Sequence, residues 1–369
     1  MRISGQSILY IGLASLLLAG CGPQKNLQVG FIGGLSDRNS DNGQSGLNGV
    51  ILAFEQFNRA GGLDGRMVEL VARDDAQNKE TAAKSANELV AAKVEAVIGP
   101  FTSGMAAVIV PITGAAGIFQ ISPTITSMAF YGKDDNLFRI NRTTRDNAQD
   151  YARVMLRLGR RHTAVAYDTR NLNFTESWLN EFRAAVAAGG AGLAIEVPYE
   201  SSPNADFGKV VNQMLASQPD SLFFISGALD VARLAQQARK QAPKIPIGAS
   251  EWAATEQLAE LGGEVVHGLL IVQNYNRADE SARFKDFSDA YFKRFQRNPG
   301  YSSVSAFDAA TVVLTGLLKR RQGETLKSSV LMNGPYQGLQ QSITFDANGD
   351  TQRKVYFTEI LDGRYVQLK

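Results

Sequence analysis

Val94-Glu95-Ala96-Val97-Ile98-Gly99-Pro100-Phe101-Thr102-Ser103-Gly104-Met105 carries the reading of the fold. A short apolar run closes on glycine and proline, and a helix-forming segment follows, Ser103 to Ala116, with Ser103 as its expected N-cap. An apolar run this short, flanked by turn residues, predicts a strand buried on both faces, the kind found in parallel sheets. Upstream the same beat occurs in Leu27–Gly33, then a helix with Leu47, Val50, Ile51, Phe54 and Phe57 at 3.6-residue spacing, ending at Gly61-Gly62. Met67 to Arg73 alternates as a strand before a second helix, and Ile118 to Ser122 follows the third. Downstream the beat resumes with Thr163–Ala166, Leu193–Val197, Leu222–Ile225, Ile245–Ile247 and Leu269–Val272, separated by helical segments. Two such series predict an α/β chain with two doubly wound parallel-sheet lobes. The tail changes character: helices near 283–295 and 304–318 precede short strands at 342–346, 354–361 and 365–368.

Composition agrees with this architecture and removes several function classes. The 369 residues are 44% hydrophobic and 20% charged, enough for two buried cores. Lys and Arg number 38 against 36 Asp and Glu, and no basic run exceeds Lys319-Arg320-Arg321, so a nucleic-acid footprint is missing. One cysteine, Cys21, and two histidines, His162 and His267, leave no intrachain disulfide, thiolate metal site or multi-histidine centre. Both histidines open strands, on the edge opposite the expected cleft, which denies a Ser–His–acid triad its base. Asp74-Asp75 alone is too few ligands for a metal, and no Gly-x-Gly-x-x-Gly follows the first strand. No cofactor is expected.

The N-terminus reads as an address. Ile8 to Leu18 is an apolar stretch of about eleven residues, too short for a bilayer but suited to an export signal. It runs into Leu18-Ala19-Gly20-Cys21, which resembles the bacterial lipobox, where the cysteine is acylated and becomes the first residue. An ordinary cleavage site with an incidental cysteine is the weaker reading, since a lone exposed thiol is a liability in an exported protein. Residues 1–20 are thus expected to be a lipoprotein signal peptide and 21–26 a tether. The protein would be exported and membrane-anchored, facing the periplasm or the cell exterior.

In open α/β sheets ligands sit beyond the carboxyl ends of the strands, so the loops there hold the candidates. Phe101, Thr102 and Ser103 lie where a strand enters a helix, and free N–H groups at such a start suit a carboxylate. The plain alternative is a serine that only caps its own helix. Ser122-Pro123-Thr124-Ile125-Thr126 leaves the next strand with hydroxyls and carbonyls that suit a polar cradle. Glu251, followed by Trp252, stands at a strand end in the other series; its carboxylate suits an ammonium, and Trp252 can wall a pocket. The plain alternative there is a surface glutamate beside a packed tryptophan. As a loop residue, Glu251 is expected to matter little to stability.

The order of pieces is similar to one family. A Gly-Gly-Leu-Ser loop precedes Asn58-Arg59-Ala60-Gly61-Gly62-Leu63-Asp64-Gly65 and a strand ending Arg73-Asp74-Asp75. Then come Val97-Ile98-Gly99-Pro100 with Thr102-Ser103, the Ser122–Thr126 turn and Phe138-Arg139-Ile140-Asn141-Arg142-Thr143. This resembles the type I periplasmic binding proteins of the leucine/isoleucine/valine-binding group, which serve ABC importers. The resemblance implies a ligand cleft between two lobes joined by three crossings, with lobe I at 27–142 plus 274–336 and lobe II at 143–273 plus 337–369. It implies that Ser103, Thr124 and Thr126 hold an amino-acid backbone from lobe I, that Glu251 takes the α-ammonium from lobe II, and that Phe174 stands at a pocket tyrosine position. Asn42 and Ala228 replace the aromatics usual in branched-chain binders, which implies a remodelled side-chain pocket that Trp252 partly refills. The implied partners are a small solute and an ABC permease. An envelope lipoprotein of this fold that regulates a partner protein is the rival reading, and an enzyme on the same scaffold finds no residues to carry it.

Overall fold

The computed structural model describes residues 26–38 and 40–368. The leader, Cys21 and most of the tether lie outside the described residues.

The first half alternates as β1 (Leu27–Gly33), α1 (Asp41–Arg59), β2 (Val68–Asp74), α2 (Lys79–Ala91), β3 (Ala96–Ile98), α3 (Ser103–Ala115), β4 (Phe119–Ser122) and β5 (Leu137–Arg139). These five strands form one parallel sheet in the order β2-β1-β3-β4-β5, with β1 and β3 in register at Gly30 and Val97. Gly99 turns the chain out of β3 at φ +123, where a Cβ would stand 2.0 Å from the Ile32 carbonyl oxygen. Only glycine fits there.

The second half follows as α4 (Thr144–Arg157), β6 (His162–Asp168), α5 (Leu172–Ala188), β7 (Gly192–Tyr199), α6 (Phe207–Ala216), β8 (Ser221–Ile225), α7 (Ala228–Gln241), β9 (Ile247–Ala249), α8 (Glu256–Gly262) and β10 (Leu270–Gln273). The chain then returns to the first sheet with α9 (Ala282–Phe295), α10 (Tyr301–Lys319) and α11 (Leu326–Met332). α10 is long and apolar enough to cross a membrane, yet it is packed inside the protein against α1, β3 and β4. A Cβ on Gly49 of α1 would lie 2.3 Å from the Ser303 carbonyl oxygen, so the two helices meet backbone to backbone.

A hairpin, β11 (Tyr336–Gln337) with β12 (Ser342–Ile343), precedes β13 (Tyr356–Leu361) and β14 (Arg364–Gln367). The last two close the second sheet in the order β14-β13-β10-β9-β8-β6-β7, antiparallel at that edge and parallel elsewhere.

The third crossing lies later than the sequence implies. Residues 336–353 stay on the first half: Phe345 packs on Phe138, Thr351 Oγ1 donates to the Ile140 carbonyl and Arg353 pairs with Asp308 of α10. Arg139, 1% exposed, forms a buried ion pair with Asp350. Val355 already packs in the core of the second half, so the chain crosses at 354–355 rather than at Tyr336-Gln337. β5 is the last strand of the first sheet before α4, and β10 is the last parallel strand of the second sheet before the chain returns to the first. The expected strand at 342–346 is shorter, and Phe345 instead makes an isolated bridge to Thr351.

Candidate functional site

The carboxyl ends of the two parallel sheets face a shared seam, and the loops leaving β3, β4, β6, β8 and β9 supply its residues. On the first side, Thr102, not Ser103, is the N-cap of α3: its backbone is extended, and its Oγ1 donates to Gln77 Oε1 at 2.9 Å. Ser103 is the first helical residue. It is 1% exposed, and its hydroxyl has no hydrogen-bond partner among the described residues. The next amide, Gly104 N–H, reaches across the seam to Asn171 Oδ1 at 2.8 Å. Phe101 packs on Phe31 beneath this turn. The β4 loop is tied to it, with Ser122 Oγ donating to the Pro100 carbonyl and Thr124 Oγ1 to the Phe101 carbonyl, both at 2.7 Å. Thr124 therefore braces the α3 turn with its hydroxyl hydrogen, leaving oxygen lone pairs for other contacts.

Glu251 opens a three-residue helical turn after β9 and is 3% exposed. Its Oε2 accepts from Trp178 Nε1 at 2.8 Å and its Oε1 from Asn147 Nδ2 at 2.9 Å, while Thr126 Oγ1 of the first half lies 3.4 Å from Oε1. Burial raises its pKa, and the two hydrogen bonds and the charge of Arg142 pull the other way. This burial sets aside the plain alternative of a surface glutamate, and it corrects the expectation that Glu251 matters little to stability. The short turn leaves no slack, and α4 and α5 present two donors to the group from inside its own half. Neither Trp178 nor Asn147 is marked as a site residue by any motif in the sequence. An indole N–H on an otherwise buried helix face was the available signal, since a buried tryptophan needs an acceptor.

The Trp252 ring meets Phe174 edge to face at 5.7 Å. Its carbonyl accepts from Asn42 Nδ2 at 3.4 Å, and Asn42 Oδ1 accepts from Ser302 Oγ at 2.8 Å. Asn42, Trp252 and Phe174 are thus brought together from α1, the post-β9 turn and α5. Ala228 starts α7 and is buried in the core. A further bridge joins Arg38 to Asp230, 3.5 Å apart, with Asp230 also taking the Tyr199 hydroxyl. His162 and His267 are exposed at strand starts, away from the seam.

A family model described as periplasmic binding protein matches residues 26–364. The Leu/Ile/Val-binding protein of Escherichia coli K12 is 23% identical over 354 residues, covering 95% of this chain and 94% of that protein. The substrate-binding protein LivJ of Streptococcus pneumoniae, solved with isoleucine, superposes with a TM-score of 0.84 at 22% identity, covering 93% of this chain and all of the other. A solute-binding protein from R. palustris, solved with benzoate, superposes at 0.83 with 18% identity, covering 93% of this chain and 96% of the other. Similar architecture therefore accompanies quite different ligands. By its family match over almost the whole described chain, and by a fold shared with those structures, the chain belongs to the periplasmic binding protein family and has its type I fold.

Proposed function

We propose that the protein is the solute-binding component of an ABC importer and that it captures an amino acid or a close relative between its two halves. The observation that carries this reading is Glu251: a carboxylate buried at the seam, held from behind by Trp178 and Asn147, opposite Thr126. A buried carboxylate fixed by two donors is oriented for a cation, and an α-ammonium needs such a partner once water is excluded. Ser103, with its free hydroxyl at the start of α3, suits the α-carboxylate together with the first amides of the helix. Thr124 and Thr126 bound the same space, Phe101 and Thr102 support it from below, and Phe174, Trp252, Asn42 and Ala228 wall the side-chain end. The ligands with which similar proteins were solved, isoleucine and leucine among them, favour an amino acid.

Capture proceeds by hinge closure of lobe I on lobe II about crossings at 142–143, 272–273 and 354–355. The Gly104–Asn171, Arg38–Asp230 and Asn42–Trp252 contacts hold the closed form. In the exported protein Cys21 carries the lipid anchor, and the closed protein hands its solute to an ABC permease. A thermal-shift screen of the mature protein against the α-amino acids and small carboxylic acids tests this. Ligand at a hundred times its Kd should stabilise by about 2.7 kcal/mol. No shift with any amine-bearing compound would overturn the amino-acid reading.

A further inference from the structure

A cavity of about 760 Å3 is lined by residues of both halves. Asp41, Asn42 and Tyr301 line it from the first half, and Thr255, Glu256 and Gln257 from the second. Asn42 belongs to both spaces, because its amide also contacts the Trp252 carbonyl. Tyr301 joins them as well. Burial raises the pKa of its phenol, and the charges of Asp41, Glu251 and Glu256 push the same way while the Ser302 hydroxyl pulls back.

Their charges are answered unequally. Glu251 has Trp178 and Asn147. Glu256 is paired with Arg277 and takes the Tyr275 hydroxyl, and that guanidinium is stacked 3.8 Å over Tyr365. Among the described residues Asp41 has no ion-pair partner and its Oδ2 is buried without a hydrogen bond; burial pushes its pKa up to about 6, and the nearby Thr255 hydroxyl and Asn42 backbone N–H pull the other way. Among the described residues, the hydroxyl of Thr255, 7% exposed, completes no hydrogen bond of ordinary geometry, and the buried Gln257 Oε1 has no partner. Among the lining residues the sole cation is Arg297, which is exposed. The cavity thus offers a surplus of acceptors and one uncompensated carboxylate.

We propose that the solute is an amino acid whose side chain ends in a second positive group, an ammonium or guanidinium, seated in this cavity against Asp41, Thr255 and Gln257. The proposal rests on the amino-acid reading above and adds the class of side chain. A branched apolar side chain would leave those acceptors desolvated and unanswered, whereas a cation with several N–H donors satisfies them together.

Calorimetric titration with L-lysine and L-norleucine, which differ in the terminal ammonium alone, tests it. The wild-type protein should bind lysine about 30-fold or more tightly than norleucine, and Asp41→Asn should collapse that ratio towards one. Thermal melts of the variant verify that it is folded, and the wild-type ratio stands as a test even without it. Equal binding of the two compounds by wild type would overturn the proposal and leave the amino-acid reading standing. If neither compound binds and no other α-amino acid does, both fall together.

Discussion

Replacing Glu251 by glutamine separates what this residue does for the fold from what it does for a ligand. The side chain is 3% exposed and carries two hydrogen bonds below 3.0 Å, from Trp178 and Asn147. Glutamine keeps the length and one carbonyl oxygen, so the indole N–H retains an acceptor, but Asn147 Nδ2 loses its own, because Asn147 Oδ1 already accepts from Arg142 Nε at 2.6 Å and the amide cannot turn. With one buried donor stranded, the fold should lose about 1–3 kcal/mol. Alanine would instead leave two buried donors without acceptors, at about 1–3 kcal/mol each. Binding should behave differently. Removing the charge from a buried, hydrogen-bonded ion pair costs about 2–5 kcal/mol. Each 1.4 kcal/mol is tenfold, so Glu251→Gln should weaken an α-amino acid about 30-fold or more. The assay is calorimetric titration of wild type and variant with the amino acid giving the largest thermal shift, and with the carboxylic acid of the same skeleton lacking the α-amine. The wild-type preference for the amine should vanish in the variant. A loss of equal size for both compounds, or none, would refute the assignment of Glu251 to the ammonium. Because burial raises the Glu251 pKa, affinity should also weaken as pH falls through that raised value, when the carboxyl becomes neutral.

Other expectations follow from buried charge and from the seam. Asp75 is fully buried, one oxygen lacks a partner, and burial with neighbouring Asp74 and Asp37 pushes its pKa up to about 7. Between about pH 4 and 7 the folded protein holds a proton that the unfolded chain has released, so stability falls as pH rises through that window. Asp75→Asn, which keeps the Oδ1 bonds to Gln77, should flatten the curve and add at most roughly 4 kcal/mol at pH 8; urea titrations at pH 4.5 and 8 measure it. Asp350→Ala should cost about 3–5 kcal/mol by stranding the buried Arg139 guanidinium, and a loss below 1 kcal/mol in urea unfolding would argue against the pair. Small-angle scattering should show compaction when a tight ligand is added, and an unchanged radius of gyration would count against hinge closure. Cys21→Ser should move the exported protein from the detergent phase to the aqueous phase, whereas unchanged partitioning would remove the lipid anchor.

The alternation of short apolar runs with amphipathic helices already determined the architecture, because a strand buried on both faces and a helix with one apolar stripe differ in period along the chain. The turn after β3, with glycine at positive φ and hydroxyls entering a helix, was legible for the same local reason. The order of motifs also pointed to Ser103, Thr126 and Glu251 as residues of one seam. Tertiary structure alone decided what each of these side chains does. Nothing in the spacing of Trp178 or Asn147 shows that their donors converge on Glu251, residues 73 and 104 positions away. Thr124 reads as a ligand hydroxyl but spends its hydrogen on the Phe101 carbonyl. Residues 337–353 look like the start of the second lobe's edge, yet the buried Arg139–Asp350 pair holds them on the first. Asp41 reads as an ordinary acidic residue in the first turn of α1; only the folded chain buries it and sets it in one cavity with Thr255 and Tyr301, two segments more than two hundred residues further along. Local pattern sets the period and burial of each element, whereas the partners of a polar atom depend on which distant elements the closed seam brings within hydrogen-bond reach.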